Sequence, residues 1–493
     1  MATVFNNTSL VRDDSFEGSL STKDIQIAVQ EVKVQDMPNS ALMHRSLREQ
    51  PYNVVSGHGS YFKLQDGREI LDGCGGAAVT LIGHGNAEVK AAIIEQLDKI
   101  SYVFTSSLIT SSAEELAKCI LEIPPGGFQH GLEKAYFCGS GSEATDAAMK
   151  FCTQYFFEKG EPQRKYFVSR RQAYHGSTVG SMSVSSYLAR KVPYEDIVLP
   201  NTSFVSPAYA YQYQLPTETE DEYVRRLIEE LDAKFQELGP QNIISFIAEP
   251  VGGATTGCVP APKGYFLAVR KLCDKYGILL HLDEIMCGMG RTGTYFAFEH
   301  EGITPDIVTI GKGLGGGYAP IGGILVSKKC IDIIRQGTGA INHTHTYQNH
   351  PVMCAAALAV QKIVKRDELV IRVKEMGILL HQLLVETLQN CKYVGDIRGR
   401  GFFWGVEFVA DKQSKASLPP SLGFGMRVVK RAFELGLAVY PGAGTVDGVR
   451  GDNVLIAPPY TISDTDLRKI VRLLREAYDS EETKLDLSLR VTG

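Results

Sequence analysis

Short apolar runs alternate with amphipathic patterns through the central part of the chain. Three stretches carry apolar residues at helical spacing, at residues 142–157, 222–238 and 265–276. Six further runs have the length and composition of buried strands, at residues 134–138, 166–169, 243–248, 278–282, 307–310 and 322–326. This alternation is typical of βαβ units, so it predicts an α/β fold with a mostly parallel central sheet.

The pattern changes on both sides of this region. A polar stretch opens the chain, residues 61–73 alternate as a hairpin with its turn at Asp66-Gly67, and a helical period follows at 86–100. After Pro351 the pattern predicts three helices, at 352–365, 368–388 and 464–478, and a strand at 401–409. We therefore predict a polar N-terminal extension (1–35), a large domain (86–350) and a small domain built from residues 36–85 and 351–493.

Composition removes several classes of function. The chain has 493 residues and a net charge of −5 without a dense Lys/Arg block, which argues against nucleic-acid binding. No stretch approaches the roughly 20 apolar residues of a membrane span, and the N-terminus lacks the features of a targeting peptide. Ten scattered cysteines without a C-x-x-C pair indicate reduced thiols and no metal site. We expect a soluble, cytoplasmic protein.

Three polar residues follow predicted strands: Glu249, Asp283 and Lys312. Ligands of open α/β sheets bind at the carboxyl ends of the strands, where these residues fall. Lys312 lies among glycines, but a Walker A loop would end in Lys followed by Ser or Thr. A lysine that forms a Schiff base and an aspartate that holds a protonated ring nitrogen are what pyridoxal phosphate (PLP) chemistry requires. Taken alone, Lys312 would be interpreted as a surface lysine beside a flexible loop, and Asp283 as a helix cap.

A run of small residues precedes the first central helix. Ser140 and Glu143 have the spacing of a capping box, which predicts where this helix begins. The amides of Gly141 and Ser142 would then be free to bind a phosphate. An ordinary capped helix remains the alternative interpretation.

From about Tyr61 to Ala477 the chain resembles the class III (omega-type) aminotransferases. The resemblance rests on residues 81–89, 139–144, 174–176, 249–251, 282–293, 311–313, 345–351, 398–401 and 457–459. It implies the aspartate-aminotransferase-like fold (fold type I), PLP as the cofactor and transaminase activity.

The resemblance also implies individual roles. Lys312 would hold PLP as a Schiff base and shuttle a proton, and Asp283 would pair with the ring nitrogen. His175 and Arg291 would be structural. Thr346 would reach the phosphate of the partner subunit, which implies a homodimer. The implied cofactor contacts are Gly141, Ser142, Tyr174, Asp283, Ile285, Lys312 and Thr346.

The chain departs from the family pattern next to residues 457–459. Members that bind an α-carboxylate have an arginine where this chain has Leu455, and leucine cannot form a bidentate pair with a carboxylate. Arg450, in a longer loop upstream, resembles the mobile arginine of amine transaminases, although it fits an exposed loop arginine equally well. Glu249 matches the residue that pairs with the missing arginine, which leaves its role here open.

We therefore expect a transaminase that moves an amino group from a primary amine or omega-amino acid to a 2-oxo acid such as pyruvate. Two alternatives remain open from the sequence. The first is a PLP-dependent aminomutase or other isomerase on the same scaffold, which would share Lys312, Asp283 and Thr346. The second is a PLP-binding protein without activity.

Overall fold

The computed structural model describes residues 41–124 and 126–492. Its longer helices are Ala87–Lys99, Ser111–Leu121, Gly141–Glu158, Glu220–Leu238, Tyr265–Tyr276, Lys328–Gln336, Pro351–Arg366, Leu369–Leu388, Phe424–Glu434 and Asp464–Thr492. Shorter helical segments are Gly75–Ala78, Val179–Ser183, Leu188–Lys191 and Ala210–Tyr213. The described residues from Val54 onward form one compact unit, and residues 41–53 of the other unit contain no helix or strand. The predicted extension at 1–35 lies outside the described residues.

A seven-stranded sheet forms the centre of the fold. Its strands, in spatial order, are Leu132–Cys138, Gly322–Ser327, Ile307–Ile310, Leu279–Asp283, Ile243–Ala248, Tyr166–Arg170 and Thr202–Val205. Five consecutive strands are parallel, and Gly322–Ser327 runs antiparallel to both of its neighbours. The prediction of a mostly parallel sheet is therefore confirmed.

Both faces of this sheet are covered. Along the central strands, Ile247 and Leu279 belong to one apolar cluster, together with residues of the helix Gly141–Glu158. The residues next to them in sequence, Phe246 and Leu280, belong to a second cluster. Because successive side chains of a strand point to opposite faces, continuous apolar runs are what a sheet buried on both sides requires.

Two smaller sheets are built from the ends of the chain. One contains Val54–His58, Tyr61–Leu64, Glu69–Asp72 and Leu437–Ala438, and the other contains Val394–Arg400, Phe403–Phe408, Asp452–Ile456 and Tyr440–Ala443. A two-stranded sheet pairs Val251–Gly252 with Val259–Pro260. The predicted hairpin is present, with Gly67 at φ +92° in its turn. Glu69–Asp72 pairs in parallel with Leu437–Ala438, so segments distant in sequence share one sheet.

The structure contains helices and strands that the sequence pattern did not predict, among them Lys328–Gln336 and Phe424–Glu434. The edge strand Thr202–Val205 and the helix Ser111–Leu121 were not predicted, and the final helix continues to Thr492 instead of ending at 478. Edge strands carry a weak signal because one side remains exposed to solvent. Across 41–124 and 126–492, no helix combines the length and apolarity that a membrane crossing needs.

Candidate active site

Three adjacent parallel strands bring Glu249, Asp283 and Lys312 to one edge of the central sheet. Glu249 directly follows Ile243–Ala248, Asp283 is the last residue of Leu279–Asp283, and Lys312 comes two residues after Ile307–Ile310. These strands are neighbours in the sheet and run in the same direction. Their carboxyl ends therefore lie side by side, as the sequence pattern predicts.

The Asp283 carboxylate is buried and held on both oxygens. Its Oδ2 lies 2.7 Å from Nδ1 of His175, and its Oδ1 accepts a hydrogen bond from the amide of Ile285 at 3.0 Å. Burial alone would lower the pKa of His175, but the hydrogen bond to Asp283 and the charge of Glu249 raise it above its usual value. The imidazole therefore favours its charged form and places a positive charge against the Asp283 carboxylate. His175 thus positions Asp283.

Lys312 begins the short turn that follows its strand. Its φ of +41° lies in the left-handed region, and its carbonyl accepts hydrogen bonds from the backbone amides of Gly315 and Gly316. Burial lowers the pKa of the Lys312 amine, opposed by the negative charge of Asp283. Within the described chain, no hydrogen bond joins its Nζ to another residue. A lysine with a lowered pKa and an unpaired amine is suited to attack a carbonyl.

The helix Gly141–Glu158 presents its N-terminus at the same edge. Ser140 Oγ accepts a hydrogen bond from the backbone amide of Glu143 at 3.2 Å. In a full capping box the Glu143 carboxylate would accept one from the amide of Ser140, but here it accepts one from the amide of Gly139 at 2.6 Å. The predicted capping box is therefore half correct. The amides of Gly141 and Ser142 donate to no other group in the described chain. Free amides at a helix N-terminus form a site for a phosphate group.

Ile285 lies between this helix and the lysine segment. A Cβ atom added to Gly141 would lie 2.8 Å from Cδ1 of Ile285, and one added to Gly311 would lie 3.3 Å from its Cγ2. Glycine at both positions therefore allows the Ile285 side chain to pack there. The start of the helix, the segment just after Asp283 and the residue just before Lys312 therefore lie next to one another.

Tyr174 and Glu249 are joined through the backbone. The Tyr174 amide donates to Oε1 of Glu249 at 3.4 Å. Arg170 donates to the Glu249 carbonyl at 2.5 Å and lies 3.5 Å from its carboxylate. Sequence reasoning missed Arg170, although its place at the end of the strand Tyr166–Arg170, beside Ile243–Ala248, could have indicated it. Glu249 is already paired, and its partner differs from the arginine of the family pattern.

Arg190 is a second residue that the sequence did not reveal. Its Nη1 donates to the Tyr174 hydroxyl at 3.3 Å, and its guanidinium carbon lies 5.2 Å from the centroid of the Tyr174 ring. It belongs to the exposed four-residue helix Leu188–Lys191. No motif or periodic pattern marks this position in the sequence.

Arg450, Leu455 and Arg291 have different surroundings. Arg450 is exposed, and its Nε donates to Oδ2 of Asp447 at 2.6 Å. Leu455 is fully buried in the strand Asp452–Ile456. Arg291 is also buried, and it donates to the carbonyl of Pro458 at 2.6 Å, which anchors the segment after Leu455. No hydrogen bond or ion pair in the described chain links Arg450 to Lys312.

Thr346 is exposed on the segment between the helices Lys328–Gln336 and Pro351–Arg366. Within one chain, the described hydrogen bonds do not connect it to Gly141 or Ser142. The structure therefore brings the segments of Lys312, Asp283, Ile285, Gly141 and Ser142 together, and none of the described hydrogen bonds joins Thr346 to them.

These residues fit PLP. The unpaired Lys312 amine suits its aldehyde, the buried Asp283 carboxylate suits its protonated ring nitrogen, and the free amides of Gly141 and Ser142 suit its phosphate. No group would have to be displaced from Lys312 or from the helix N-terminus to admit these contacts.

Comparison with known proteins agrees with this chemistry. Residues 42–478 match the family Aminotransferase class-III. An uncharacterized aminotransferase of Schizosaccharomyces pombe is 45% identical over 89% of this chain and 95% of its own length. Gamma aminobutyrate transaminase 3, chloroplastic, of Solanum lycopersicum is 33% identical over 97% of this chain and 90% of its own.

The fold has solved counterparts as well. The structure of an amine transaminase from an uncultivated Pseudomonas species, in its PLP-bound form, matches 92% of this chain and 99% of its own with a TM-score of 0.81 and 31% identity. The fold type I architecture expected from the sequence is thereby confirmed, and so is PLP as the cofactor. The chain belongs to the class-III family of PLP-dependent aminotransferases.

Proposed function

We propose that this aminotransferase moves an amino group from a primary amine or an omega-amino acid to a 2-oxo acid such as pyruvate. The observation that carries the proposal is Leu455, a buried leucine at the position where members that bind an α-carboxylate have an arginine. A side chain without hydrogen-bond donors cannot hold an α-carboxylate, so a standard ornithine-type pocket is disfavoured.

Glu249 supports the same proposal. In the family pattern this glutamate pairs with the arginine that Leu455 replaces, whereas here its carboxylate faces Arg170 and the Tyr174 amide. Glu249 therefore needs no substrate to neutralise it. Two exposed arginines remain as candidates for binding a substrate carboxylate. Arg190 contacts Tyr174, and Arg450 lies in the loop that precedes the strand Asp452–Ile456. A contact from either one could be made with some substrates and released with others.

The reaction would depend on Lys312 and Asp283. When bound, PLP supplies an electron sink for the substrate carbon that loses a proton. Lys312 would hold the cofactor between turnovers and carry that proton, for which a lowered pKa is suited. Asp283, held by His175, would keep the ring nitrogen protonated.

The proposal includes a homodimer in which Thr346 completes the phosphate site of the partner. Thr346 is exposed, and its neighbour Tyr347 lies with its ring 6.1 Å from Tyr102. Large apolar side chains are exposed both in the segment 102–109 and next to Thr346. They are Tyr102, Phe104, Leu108, Ile109 and Tyr347. Exposed apolar patches of this kind support association with a second copy.

Two further expectations remain part of the proposal. The parallel pairing of Glu69–Asp72 with Leu437–Ala438 supports one small domain built from both ends of the chain, beside a large domain over 86–350. All ten cysteines are buried and free of disulfides, which supports a reducing compartment such as the cytosol.

A donor and acceptor panel tests the proposal. Purified protein loaded with PLP is incubated with primary amines, omega-amino acids or α-amino acids, each with pyruvate or 2-oxoglutarate, and the carbonyl product is measured. We expect a ketone or aldehyde from the first two donor classes, and none from Lys312→Ala. Absence of any carbonyl product, turnover of α-amino acids alone, or an isomerised amine in its place would contradict the proposal.

A further inference from the structure

Arg190 lies against Tyr174, which the family resemblance implies as a cofactor contact. Its guanidinium contacts the Tyr174 ring and donates one hydrogen bond to the Tyr174 hydroxyl. The next residue, His175, holds the Asp283 carboxylate at 2.7 Å. Arg190 therefore contacts the residue that directly precedes the histidine bound to Asp283, close to the sheet edge that carries Asp283 and Lys312.

The charge of Arg190 is not neutralised. Its two recorded contacts are with an aromatic ring and a neutral hydroxyl, and it forms no ion pair with any residue in the described ranges. A guanidinium has five donors, of which the hydrogen bond to Tyr174 uses one. An edge of the group thus remains for a carboxylate, which arginine binds in a planar, bidentate way.

Arg450 differs in this respect. Its Nε donates to Oδ2 of Asp447 at 2.6 Å, and its backbone amide donates to Oδ1 at 2.7 Å. The amide of Val449 donates to the same Oδ1 at 2.9 Å. The charge of Arg450 is therefore compensated within its own loop, and binding a substrate would first require it to leave Asp447.

The two arginines belong to segments in contact. A Cβ atom added to Gly448 would lie 3.4 Å from Cγ of Leu188, and the Tyr187 hydroxyl donates to the carbonyl of Ala443 at 3.4 Å. The loop carrying Arg450 thus packs on the four-residue helix carrying Arg190. The loop can position Arg190 without itself binding the substrate.

We infer that Arg190 is the residue that binds the substrate carboxylate, whether it belongs to the 2-oxo acid or to an omega-amino acid. This inference rests on the proposed function and names the contact that replaces the arginine missing at Leu455. Arg190 is exposed and pairs with no anion among the described residues, so it can move aside for an amine without a carboxylate and without first breaking an ion pair. One site can then accept both classes of substrate.

Single-turnover half-reactions test this inference, with the PLP-loaded protein for the two amines and with protein first converted to its pyridoxamine form for pyruvate. The probes are 1-phenylethylamine, which has no carboxylate, and 4-aminobutanoate and pyruvate, which have one. Arg190→Gln keeps a donor for the Tyr174 hydroxyl and removes the charge, whereas Arg190→Lys keeps the charge. Arg171→Gln is the matched control, because Arg171 is exposed and lies 3.7 Å from Glu230.

For Arg190→Gln we expect the apparent Kd for 4-aminobutanoate and pyruvate to rise about 10- to 100-fold, which corresponds to the loss of a charged hydrogen bond. The maximal single-turnover rate and the 1-phenylethylamine reaction should change less than about twofold. Arg190→Lys should recover part of the loss. Propanoate should inhibit the 1-phenylethylamine reaction of the wild type and of Arg171→Gln, and much less that of Arg190→Gln.

Two results would overturn the inference. Arg190→Gln could weaken all three substrates equally, which a purely structural role would produce, or it could leave all of them unchanged. Failure of the proposed function looks different, because the wild type would then form no carbonyl product from 1-phenylethylamine or 4-aminobutanoate. Even in that case, a propanoate-induced change in the PLP absorbance of the wild type that persists in Arg190→Gln would refute the role of Arg190.

Discussion

The edge of the central sheet and the segments around Arg190 and Arg450 are built in opposite ways. At the sheet edge, Asp283 is buried, ends a parallel strand and is held on both oxygens. Around the arginines, a four-residue helix rests against a loop, and both arginine side chains are exposed. The first region permits little movement, whereas the second can rearrange at low cost.

This difference corresponds to two tasks of the enzyme: cofactor chemistry at the sheet edge and substrate recognition around the arginines. Holding PLP and moving a proton are the same for every amine, so those groups gain from fixed positions. Binding partners with and without a carboxylate requires a contact that can be made and released. We therefore expect substitutions at the sheet edge to abolish the reaction, and substitutions around the arginines to change which substrates react.

Lys312→Ala should have the largest effect. The variant loses both the amine that holds the cofactor and the group that carries the proton, so we expect kcat to fall by at least about 10⁴-fold, the upper range for general acid–base catalysis. Steady-state turnover with any active donor measures this loss. Turnover within tenfold of the wild type would show that another residue carries the reaction.

Asp283→Asn should lower kcat by roughly 10²- to 10³-fold, the size found for removal of one preorganised electrostatic contact. The amide keeps the shape of the side chain but removes the charge that would keep the ring nitrogen protonated. Asp306→Asn is the matched control, because Asp306 is a buried aspartate at the start of the neighbouring strand. Equal losses of activity in both variants, after correction for folded protein, would contradict the assignment.

Asp306→Asn should instead lower stability. Asp306 accepts hydrogen bonds from Arg270 at 2.8 Å, Lys329 at 2.9 Å and the Leu280 amide at 2.8 Å. Breaking one partner of a buried ion pair costs about 3–5 kcal/mol. We expect a reduction of this size in the free energy of unfolding at neutral pH, measured by denaturant titration, with the cofactor spectrum unchanged.

The pH dependence of that loss has a defined sign. Burial alone would raise the pKa of Asp306, but the charges of Arg270 and Lys329 hold it below its usual value of 3.8. The contribution to stability is thus present above that value and is lost as the pH falls through the depressed pKa. The difference between wild type and Asp306→Asn should shrink on acidification below about pH 4. A constant difference would contradict the ion-pair account.

Arg450→Ala should have the smallest effect. Its charge is already compensated by Asp447, and exposed pairs contribute little, so we expect less than about a threefold change in kcat/KM for either substrate class. Arg450→Lys serves as the control for side-chain length. A selective loss with 4-aminobutanoate and pyruvate would transfer the carboxylate contact from Arg190 to Arg450.

The sequence predicted the rigid region well. The strands Ile243–Ala248 and Ile307–Ile310 and the helix Tyr265–Tyr276 have the predicted bounds, because continuous apolar runs and helical spacing both reflect burial. The convergence of Asp283 and Lys312 followed from parallel strands, which end on the same side of the sheet.

The sequence could not predict contacts made between distant loops. Arg190 and Tyr174 are 16 residues apart and meet through an irregular segment, and Arg170 faces Glu249 across 79 residues. Arg450 was chosen by resemblance, and its pairing with Asp447 depends on the local loop conformation. Such contacts leave no period and no fixed motif.

The most direct test of the central claim is chemical. The PLP-loaded protein is treated with borohydride, which reduces the bond between the cofactor and the lysine that holds it, and the labelled peptide is identified by mass spectrometry after digestion. We predict a pyridoxyl group on Lys312 alone, with loss of the cofactor absorbance band. A label on another lysine, or a band that survives reduction, would contradict the assignment of Lys312.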